Sequence, residues 1–343
     1  MRAAFFNEHG GLERILVGDI PKPDLKAGEV LVRVKYSSVN HLDIWVRKGW
    51  PGLKTFSPHV LGGDAAGVVE GLGEGSRLFK LGDEVIVHPG LSCGHCEACT
   101  QGWESLCSQY AILGEQVSGT HSEWVSVPEK NLFLKPKNIS FAEAAALPLV
   151  FSTAWQMLVG RAKVKAGDKV LIHGAGSGVS VIAIQIAKSL GLEVAVTSTQ
   201  NEKLEKAKAL GADIGLNSLV VDFSKEIKKI WPKGPDVILD HVGEVVWEQN
   251  IKCLKTGGTL VTCGATSGSS GLTDLKHLFF RQLSLLGSTM GNKKDFPIGI
   301  DLCAKGAIRS VVDKEFVLAE VSKAHAYLEN KKQFGKVVIK VSE

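Results

Sequence analysis

Short apolar strands alternate with helices in the middle of the chain, and this alternation limits the available folds more than any other feature. The pattern predicts strands over 170–173, 193–197, 237–240 and 258–262, and helices over 179–190 and 201–210. Alternation of this kind is typical of parallel βαβ units with right-handed connections. The sequence therefore predicts the α/β fold class, with a doubly wound parallel sheet.

The sequence before about residue 135 has a different character. Alternating apolar and polar residues, as in 30–36, predict half-buried strands, and glycines separate these short strands at frequent intervals. At Ser140, with Glu143 three residues later, a capping box predicts the start of a helix over 144–160. A last strand is predicted over 336–341. A β-rich, barrel-like domain is therefore expected to flank the α/β segment.

Composition excludes several functional classes. The 343 residues suffice for about two domains, and the formal net charge is only +4. The lysines and arginines form no block or stripe, which argues against binding to nucleic acid or to a membrane surface. No apolar run approaches the roughly 20 residues of a membrane span, and the N-terminus lacks a signal-peptide pattern. We therefore expect a cytoplasmic protein.

Four of the seven cysteines lie within fifteen positions. They are Cys93, Cys96, Cys99 and Cys107, with the spacing C-x2-C-x2-C-x7-C. Four thiolates bind Zn²⁺ tetrahedrally, and close spacing lets one loop surround the ion. Iron–sulfur clusters use related runs, although the seven-residue gap suits them less well. Because four cysteines leave no open coordination position, we expect one structural Zn²⁺ per chain in the loop 90–110.

A glycine-rich turn follows the first strand of the α/β segment and precedes its first helix. Its glycines are Gly174, Gly176 and Gly178, and Ser180 stands where a further glycine is common. Glycines at such a junction let the backbone approach a pyrophosphate, which the N-terminus of the helix then binds. The turn therefore predicts a dinucleotide cofactor, although a tight turn without a ligand is the alternative.

The end of the second strand indicates which dinucleotide is preferred. A ribose-binding acidic residue is expected about twenty residues after the glycines. The strand instead ends in Ser198 and Thr199, and Lys203 follows. Because an acidic residue would repel a 2′-phosphate and none is present here, we expect NADP(H), with NAD(H) the less favoured cofactor.

Together, the cysteine loop, the glycine-rich turn and their order resemble the medium-chain dehydrogenase/reductase superfamily. The resemblance extends to the runs at 28–32, 62–69, 82–85, 147–148, 211–213 and 257–258. It implies a GroES-like β-rich catalytic domain over 1–150 and 288–343, with a Rossmann cofactor-binding domain over 151–287. It also implies a homo-oligomer, either a dimer or a tetramer.

The superfamily contains zinc alcohol dehydrogenases and zinc-free reductases, and the positions of the catalytic zinc ligands distinguish them. Here the matching positions hold Asn40, Gly63 and, for the third ligand, Leu149. The run from Asn40 to Gly49 also resembles the Asn-x-x-Asp-x-x-x-Arg-x-Gly motif of the quinone oxidoreductases. The resemblance therefore implies that the catalytic zinc has been lost. A conjugated acceptor needs the metal less, because hydride addition gives a delocalised anion.

Individual residues are candidates for roles in binding and catalysis. Asn40 is expected either to donate a hydrogen bond to a substrate carbonyl or to be a turn residue that bonds its own backbone. Thr153 is expected to contact the nicotinamide, and His41 either to contact the cofactor or to be a solvated loop histidine. Asp43 is a candidate catalytic residue, or else it and Asp64 belong to a structural network with Arg47 or lysines. The residues expected to bind the cofactor are His41, Thr153, Gly174, Gly176, Ser177, Gly178, Val179, Ser198, Thr199, Lys203, His241, Val242, Gly264, Ala265 and Thr266.

Three functions are compatible with the sequence. The first is an NADPH-dependent reductase that acts on quinones, enones or activated ketones without catalytic zinc. The second is an alcohol dehydrogenase with a zinc ion held by unusual ligands, for which Asp43, His59 and Asp64 are the nearest candidates. The third is a cofactor-binding protein with a structural or RNA-binding role, which the small net charge supports poorly.

Overall fold

The computed structural model describes residues 1–343, which form two compact units. One unit comprises Met1–Leu149 and Asn292–Glu343, and the other comprises Val150–Gly291. The strands are β1 (Arg2–Phe6), β2 (Leu16–Asp19), β3 (Glu29–Val39), β4 (His59–Val60), β5 (Asp64–Leu72), β6 (Glu84–Val87), β7 (Gly90–Leu91), β8 (Ala111–Ile112), β9 (Trp124–Pro128), β10 (Leu132–Leu134), β11 (Lys169–Ile172), β12 (Glu193–Ser198), β13 (Ile214–Asn217), β14 (Val237–Asp240), β15 (Thr259–Thr262), β16 (Ser284–Gly287), β17 (Val312–Val317) and β18 (Lys336–Lys340). The α-helices are α1 (His41–Lys48), α2 (Glu97–Thr100), α3 (Phe141–Ala145), α4 (Pro148–Trp155), α5 (Gly178–Ser189), α6 (Asn201–Ala209), α7 (Phe223–Ile230), α8 (Glu244–Cys253), α9 (Leu275–Phe280), α10 (Phe296–Ala304) and α11 (Val321–Glu329).

The first unit is built around the long strand β3. Its main sheet has the order β10-β6-β5-β3-β18-β17, and β9 also pairs with β3. The pairs are antiparallel except for β17 with β18. Val30, Val32 and Val34 alternate along β3 and are buried, as the period-two pattern predicts. The sheet thereby brings the C-terminal strand β18 next to the start of α1.

The second unit is a parallel six-stranded sheet of order β13-β12-β11-β14-β15-β16. The order extends outward from β11 in both directions, which is the doubly wound Rossmann arrangement. The strands and helices predicted from the alternation all form, with boundaries shifted by a residue. The α/β fold class with a GroES-like domain and a Rossmann-like sheet is therefore confirmed.

One helix prediction is wrong. The continuous helix expected over 144–160 is divided into α3, α4 and a π-helical segment at Gln156–Arg161. Pro148 is the first residue of α4, where its missing N–H costs no helical hydrogen bond. The predicted capping box does form, since the Glu143 carboxylate accepts from the backbone N–H of Ser140 at 2.8 Å.

None of the helices has both the length and the apolar character that a membrane span requires.

Candidate functional site

The glycine-rich turn connects β11 to α5 in the second unit. Gly174 has a φ of +64°, which favours glycine, and a Cβ there would lie 2.8 Å from Cε1 of His241. Ser177 caps α5, because its Oγ accepts from the backbone N–H of Ser180 at 3.1 Å. The first N–H groups of α5, at Gly178 and Val179, have no partner within the helix and carry its positive dipole end. The turn is therefore suited to an anionic ligand.

His241 closes this turn from the end of β14. Its Nε2 lies 3.0 Å from Oγ of Ser177 and 3.0 Å from Oγ of Ser180. Ser180 also donates to the backbone carbonyl of His173 at 2.7 Å, so the serine ties α5 to β11 where a glycine is common. Burial lowers the pKa of His241, which favours the neutral imidazole. The contacts of His241 with the turn were not foreseen from sequence.

The loops after β14 and β15 lie side by side at the same end of the sheet. The backbone N–H of Thr266 donates to the carbonyl of His241 at 3.2 Å, and that of Ser267 to the carbonyl of Val242 at 2.8 Å. Gly264 and Ala265 precede these contacts in the β15 loop. The carboxyl ends of parallel strands are where ligands bind in such sheets. The structure thus brings 264–266, His241 and Val242 to the edge that carries the glycine-rich turn.

The remaining residues expected at the cofactor have mixed surroundings. Ser198 ends β12 and its Oγ accepts from the backbone N–H of Gln200 at 3.1 Å, whereas Thr199 is exposed. Lys203 is buried on α6. Thr153 is buried in α4 of the second unit, and His41 opens α1 in the first unit. No carboxylate stands between β12 and α6.

The cysteine loop brings four sulfur atoms together. Each Sγ of Cys93, Cys96, Cys99 and Cys107 lies within 4.8 Å of the others. Cys93 Sγ is 3.8 Å from that of Cys99 and 3.6 Å from that of Cys107. A tetrahedral Zn²⁺ with Zn–S bonds of about 2.3 Å separates its sulfurs by about 3.8 Å, so the four thiols match this ion. Hydrogen bonds from the backbone N–H groups of His95 and Cys96 lower the pKa of Cys93 to about 6, which favours a metal-binding thiolate.

The three positions that match catalytic zinc ligands also converge, but without metal-binding groups. Asp64 links two of them: its Oδ2 accepts from Asn40 Nδ2 at 2.8 Å, and its Oδ1 accepts from the backbone N–H of Leu149 at 2.8 Å. A Cβ on Gly63 would lie 3.6 Å from Cδ1 of Leu149. The side chains at the three positions are therefore an amide at Asn40, a hydrogen at Gly63 and an alkyl group at Leu149. We call Asn40, Gly63, Asp64, Leu149 and the lysine described next the Asp64 cluster.

Lys336, the first residue of β18, completes this cluster. Its Nζ lies 2.5 Å from Oδ1 of Asn40, 3.1 Å from the carbonyl of Val39 and 3.3 Å from Oδ2 of Asp64. The Lys336 side chain is 4% exposed and that of Asp64 is fully buried. Burial lowers the pKa of Lys336, and the carboxylates of Asp64 and Asp43 oppose this shift. Sequence reasoning did not identify Lys336; the available signal was a lysine directly before three apolar residues of a strand, Val337–Ile339.

The expected network around Asp43 and Arg47 is partly different. Asp43 is buried, and it accepts from the backbone N–H of Asn40 at 2.6 Å and from that of Gly62 at 3.0 Å. Burial raises the pKa of Asp43 to about 7. Arg47 contacts neither Asp43 nor Asp64 by an ion pair and binds Glu329 at 2.7 Å instead. Asp43 thus caps α1 and fixes the backbone on both sides of the Asp64 cluster.

Known proteins resemble this chain in sequence and in fold. Residues 26–137 match the model of the alcohol dehydrogenase GroES-like domain, and residues 178–305 match that of the zinc-binding dehydrogenases. An alcohol dehydrogenase of Geobacillus stearothermophilus is 31% identical over 346 residues, which covers 100% of both chains. The solved structure of an NAD-dependent alcohol dehydrogenase is 47% identical, with a TM-score of 0.97 and 100% coverage of both chains. The structure of a 2-octenoyl-CoA carboxylase reductase in complex with NADP and 2-octenoyl-CoA is 30% identical, with a TM-score of 0.90, and the match covers 96% of this chain and 82% of that one.

Proposed function

The chain belongs to the medium-chain dehydrogenase/reductase superfamily, and from this premise we propose that it transfers hydride from NADPH to a conjugated or otherwise activated carbonyl acceptor without a catalytic metal. Membership establishes an NAD(P)-dependent oxidoreductase that acts on small molecules. The proposal adds the class of hydride acceptor, for which quinones, enones and activated ketones are the candidates. Within this proposal the first unit is the catalytic domain and the second unit binds the cofactor.

The observation that supports the metal-free reaction is the chemistry of the Asp64 cluster. Asn40, Gly63 and Leu149 offer an amide, a hydrogen and an alkyl group, which are poor or impossible ligands for Zn²⁺. The chain brings three or more potential ligand residues together only in the cysteine loop. Without a Lewis acid, a simple ketone lacks the electrophile that stabilises its alkoxide. An enone or quinone delocalises the negative charge, so hydrogen-bond donors suffice.

The bound nicotinamide would supply the hydride in this reaction. The residues of this chain have other tasks: the glycine-rich turn and the N-terminus of α5 would hold the pyrophosphate, and His241 would fix the turn. Asn40 would bind the oxygen of the acceptor. The solved reductase with NADP and an enoyl thioester supports this class of acceptor, because conjugated C=C reduction is compatible with the fold of this chain.

Reduction of a quinone and an enone with NADPH, beside oxidation of a primary alcohol, tests the proposal. We expect turnover with the conjugated acceptors, little with the alcohol, and one zinc per chain by elemental analysis. Two zinc ions per chain together with alcohol oxidation would contradict it.

The alternative is a zinc alcohol dehydrogenase with unusual ligands, which the names of several relatives favour. Its candidate ligands Asp43, His59 and Asp64 already have other partners. His59 Nε2 lies 3.1 Å from the carbonyl of Gly114, and Asp64 pairs with Lys336 at 3.3 Å. These contacts would have to break before the three side chains could bind one ion.

For the cofactor we propose NADP(H) over NAD(H). Support comes from the exposed Thr199 and from the absence of a carboxylate between β12 and α6. Measurement of kcat/KM with NADPH and with NADH tests this preference. A higher value with NADH would contradict it and would agree with the name of the 47% identical structure.

We also propose a homo-oligomer, either a dimer or a tetramer. Strand β16 is paired on one side only, at the edge of the parallel sheet. Four large apolar side chains are exposed in the segment before it, namely Leu272, Leu275, Phe279 and Phe280. An unpaired edge beside apolar surface favours pairing with a second copy. Sedimentation velocity tests this, and a monomer at micromolar concentration would contradict it.

We also propose a cytoplasmic location. The seven cysteines form no disulfide bond, which supports a reducing compartment.

A further inference from the structure

Lys336 and Asn40 form a contact that none of the roles assigned above uses. All three hydrogens of the Lys336 ammonium have acceptors: Oδ1 of Asn40 at 2.5 Å, the carbonyl of Val39 at 3.1 Å and Oδ2 of Asp64 at 3.3 Å. A lysine carries three donors and no acceptor. No hydrogen of Lys336 is left for a substrate, so any effect on the reaction must pass through one of these partners.

The two neighbours fix the orientation of the Asn40 amide. Lys336 can only donate, so Oδ1 of Asn40 faces the ammonium. Asp64 accepts at 2.8 Å from the other end, so Nδ2 faces the carboxylate. A flipped amide would place a donor against the ammonium and an acceptor against the carboxylate, which is unfavourable in a buried site.

Counting donors leaves one hydrogen without an acceptor in this network. Asn40 Nδ2 carries two hydrogens and has a single acceptor, Asp64. Ser38 Oγ donates to Asp64 at 3.0 Å, and the backbone N–H of Leu149 donates to it at 2.8 Å. Asn40 is 6% exposed, and Asp64 is the one protein acceptor of its Nδ2 group, so the second amide hydrogen is not used within the cluster.

We propose that Lys336 is a positioning residue that holds and polarises the Asn40 amide, so that the second Nδ2 hydrogen binds the carbonyl oxygen of the acceptor. A cation at the amide oxygen draws electron density from the nitrogen and makes its N–H a stronger donor. The Lys336 ammonium thereby acts on the substrate oxygen indirectly, by polarising the Asn40 amide. A catalytic metal ion would instead bind the substrate oxygen itself. This inference rests on the proposed reduction of a conjugated carbonyl.

The β-carbon of an enone receives hydride, forming a C–H bond, while the C=C π pair shifts toward the oxygen to give an enolate. The acceptor gains two electrons and the cofactor loses them. The N–H of Asn40 stabilises the negative oxygen, and the α-carbon then takes a proton from water. Lys336 keeps its protons throughout.

The test compares four variants in the reduction of an enone and of a quinone by NADPH. Asn40→Ala removes the donor, and we expect kcat on the enone to fall about 100-fold, the usual effect of losing one oxyanion donor. We expect Lys336→Met to lower it about tenfold and Lys336→Arg to recover most of that loss. We expect the double variant Asn40→Ala/Lys336→Met to be no slower than Asn40→Ala, because both act through one hydrogen bond. The loss should be smaller for the quinone, whose product anion needs less stabilisation.

Arg47→Met is the matched control, because Arg47 is also a buried cation paired with one carboxylate in the first unit. We expect it to lower the thermal stability but to keep kcat per folded molecule and the dissociation constant of NADPH. The C=O stretching frequency of a bound, unreactive enone analogue gives a reading that a purely structural lysine would not change. We expect Lys336→Met to shift this frequency upward, toward its value in water-free solvent.

Three outcomes would contradict the inference or the proposed function. If the wild-type protein reduces enones but Lys336→Met matches it in kcat and carbonyl frequency, the inference is overturned and the proposed function stands. If the wild-type protein reduces no conjugated acceptor, the proposed function itself fails. If Lys336→Met does not fold, a multiplicative loss in Asn40→Ala/Lys336→Arg relative to the two single variants overturns the inference.

Discussion

The cysteine loop and the Asp64 cluster occupy two positions at which the superfamily can bind a metal, and they differ in the atoms that they present. The loop brings four sulfur atoms within 4.8 Å of one another. The Asp64 cluster brings together an amide, a carboxylate and an ammonium, which satisfy one another through hydrogen bonds. Under the proposed metal-free reaction, the side chains of the Asp64 cluster would bond to one another instead of to an ion, while the cysteine loop would keep its metal.

The largest effect should follow removal of the carboxylate from the Asp64 cluster. Asp64→Ala leaves the Lys336 ammonium buried without its carboxylate, which costs about 3–5 kcal/mol of unfolding free energy. Urea unfolding would measure this. Glu205→Ala is the control, because it breaks an exposed pair with Lys208 worth at most about 1 kcal/mol. Equal losses in the two variants would mean that the cluster is not a buried charge network.

Removal of one thiol from the cysteine loop should have the next largest effect. Cys96→Ser should lower the zinc content from about one per chain to near zero. It should also reduce stability by about 2–3 kcal/mol, as expected for loss of a metal that ties one loop together. Elemental analysis and thermal unfolding would measure both. Cys263→Ser lies outside the loop and should retain zinc; a wild-type protein without zinc would refute the structural site.

The pH dependence of the free energy of unfolding should report on Asp43, which bonds the backbone beside the Asp64 cluster. The pKa of Asp43 is raised from 3.8 to about 7 in the folded state. Between about pH 4 and 7 the folded protein therefore holds a proton that the unfolded chain has released. Stability from this group is greatest at the acidic end and falls as the pH rises through the window, by up to about 1.4 kcal/mol per unit.

Asp43→Asn should remove this contribution. Urea unfolding of both proteins at pH 5, 6, 7 and 8 would measure the difference between them. Using the difference cancels the opposite trend from buried histidines such as His88 and His121, whose pKa values are lowered to about 3. A difference that does not change with pH would show that Asp43 is ionised throughout.

The smallest effect is expected from brief chelation. If only the cysteine loop holds metal, a chelator exposure that leaves one zinc per chain should not change the rate of enone reduction. Parallel assays of zinc content and kcat would measure this. A loss of activity ahead of the loss of the loop zinc would indicate a second, catalytic ion in the Asp64 cluster.

The same two regions explain what could be predicted from sequence. The cysteines lie within fifteen positions and the glycine-rich turn within five, so spacing along the chain reported their geometry. The Asp64 cluster joins Asn40 to Lys336 across 296 residues, and only the sheet order places β18 beside β3. Local patterns carry no information about which buried cation meets which carboxylate. For this reason the sequence left Arg47 and the lysines open as partners of Asp64, and it could not single out Lys336.

The helix break at Pro148 and the role of Ser180 illustrate a different limit. Ser180 was noted as a departure from the glycine pattern, and Pro148 lies inside the helix predicted over 144–160. In the folded chain Pro148 starts a new helix, and Ser180 donates to the backbone carbonyl of His173. A departure can therefore be located from sequence, whereas its consequence requires the tertiary structure.

The position of β18 between β3 and β17 has a consequence during protein synthesis. Asp64 and Lys336 are 272 residues apart, so at about 5–20 residues per second the carboxylate has no cationic partner for roughly 14–54 s. The segment Val150–Gly291 is completed within that interval and has its own core. We therefore expect this inserted segment to fold first on the ribosome. Nascent chains stalled before residue 336 would expose the β3 edge and be the natural targets of chaperones and proteases.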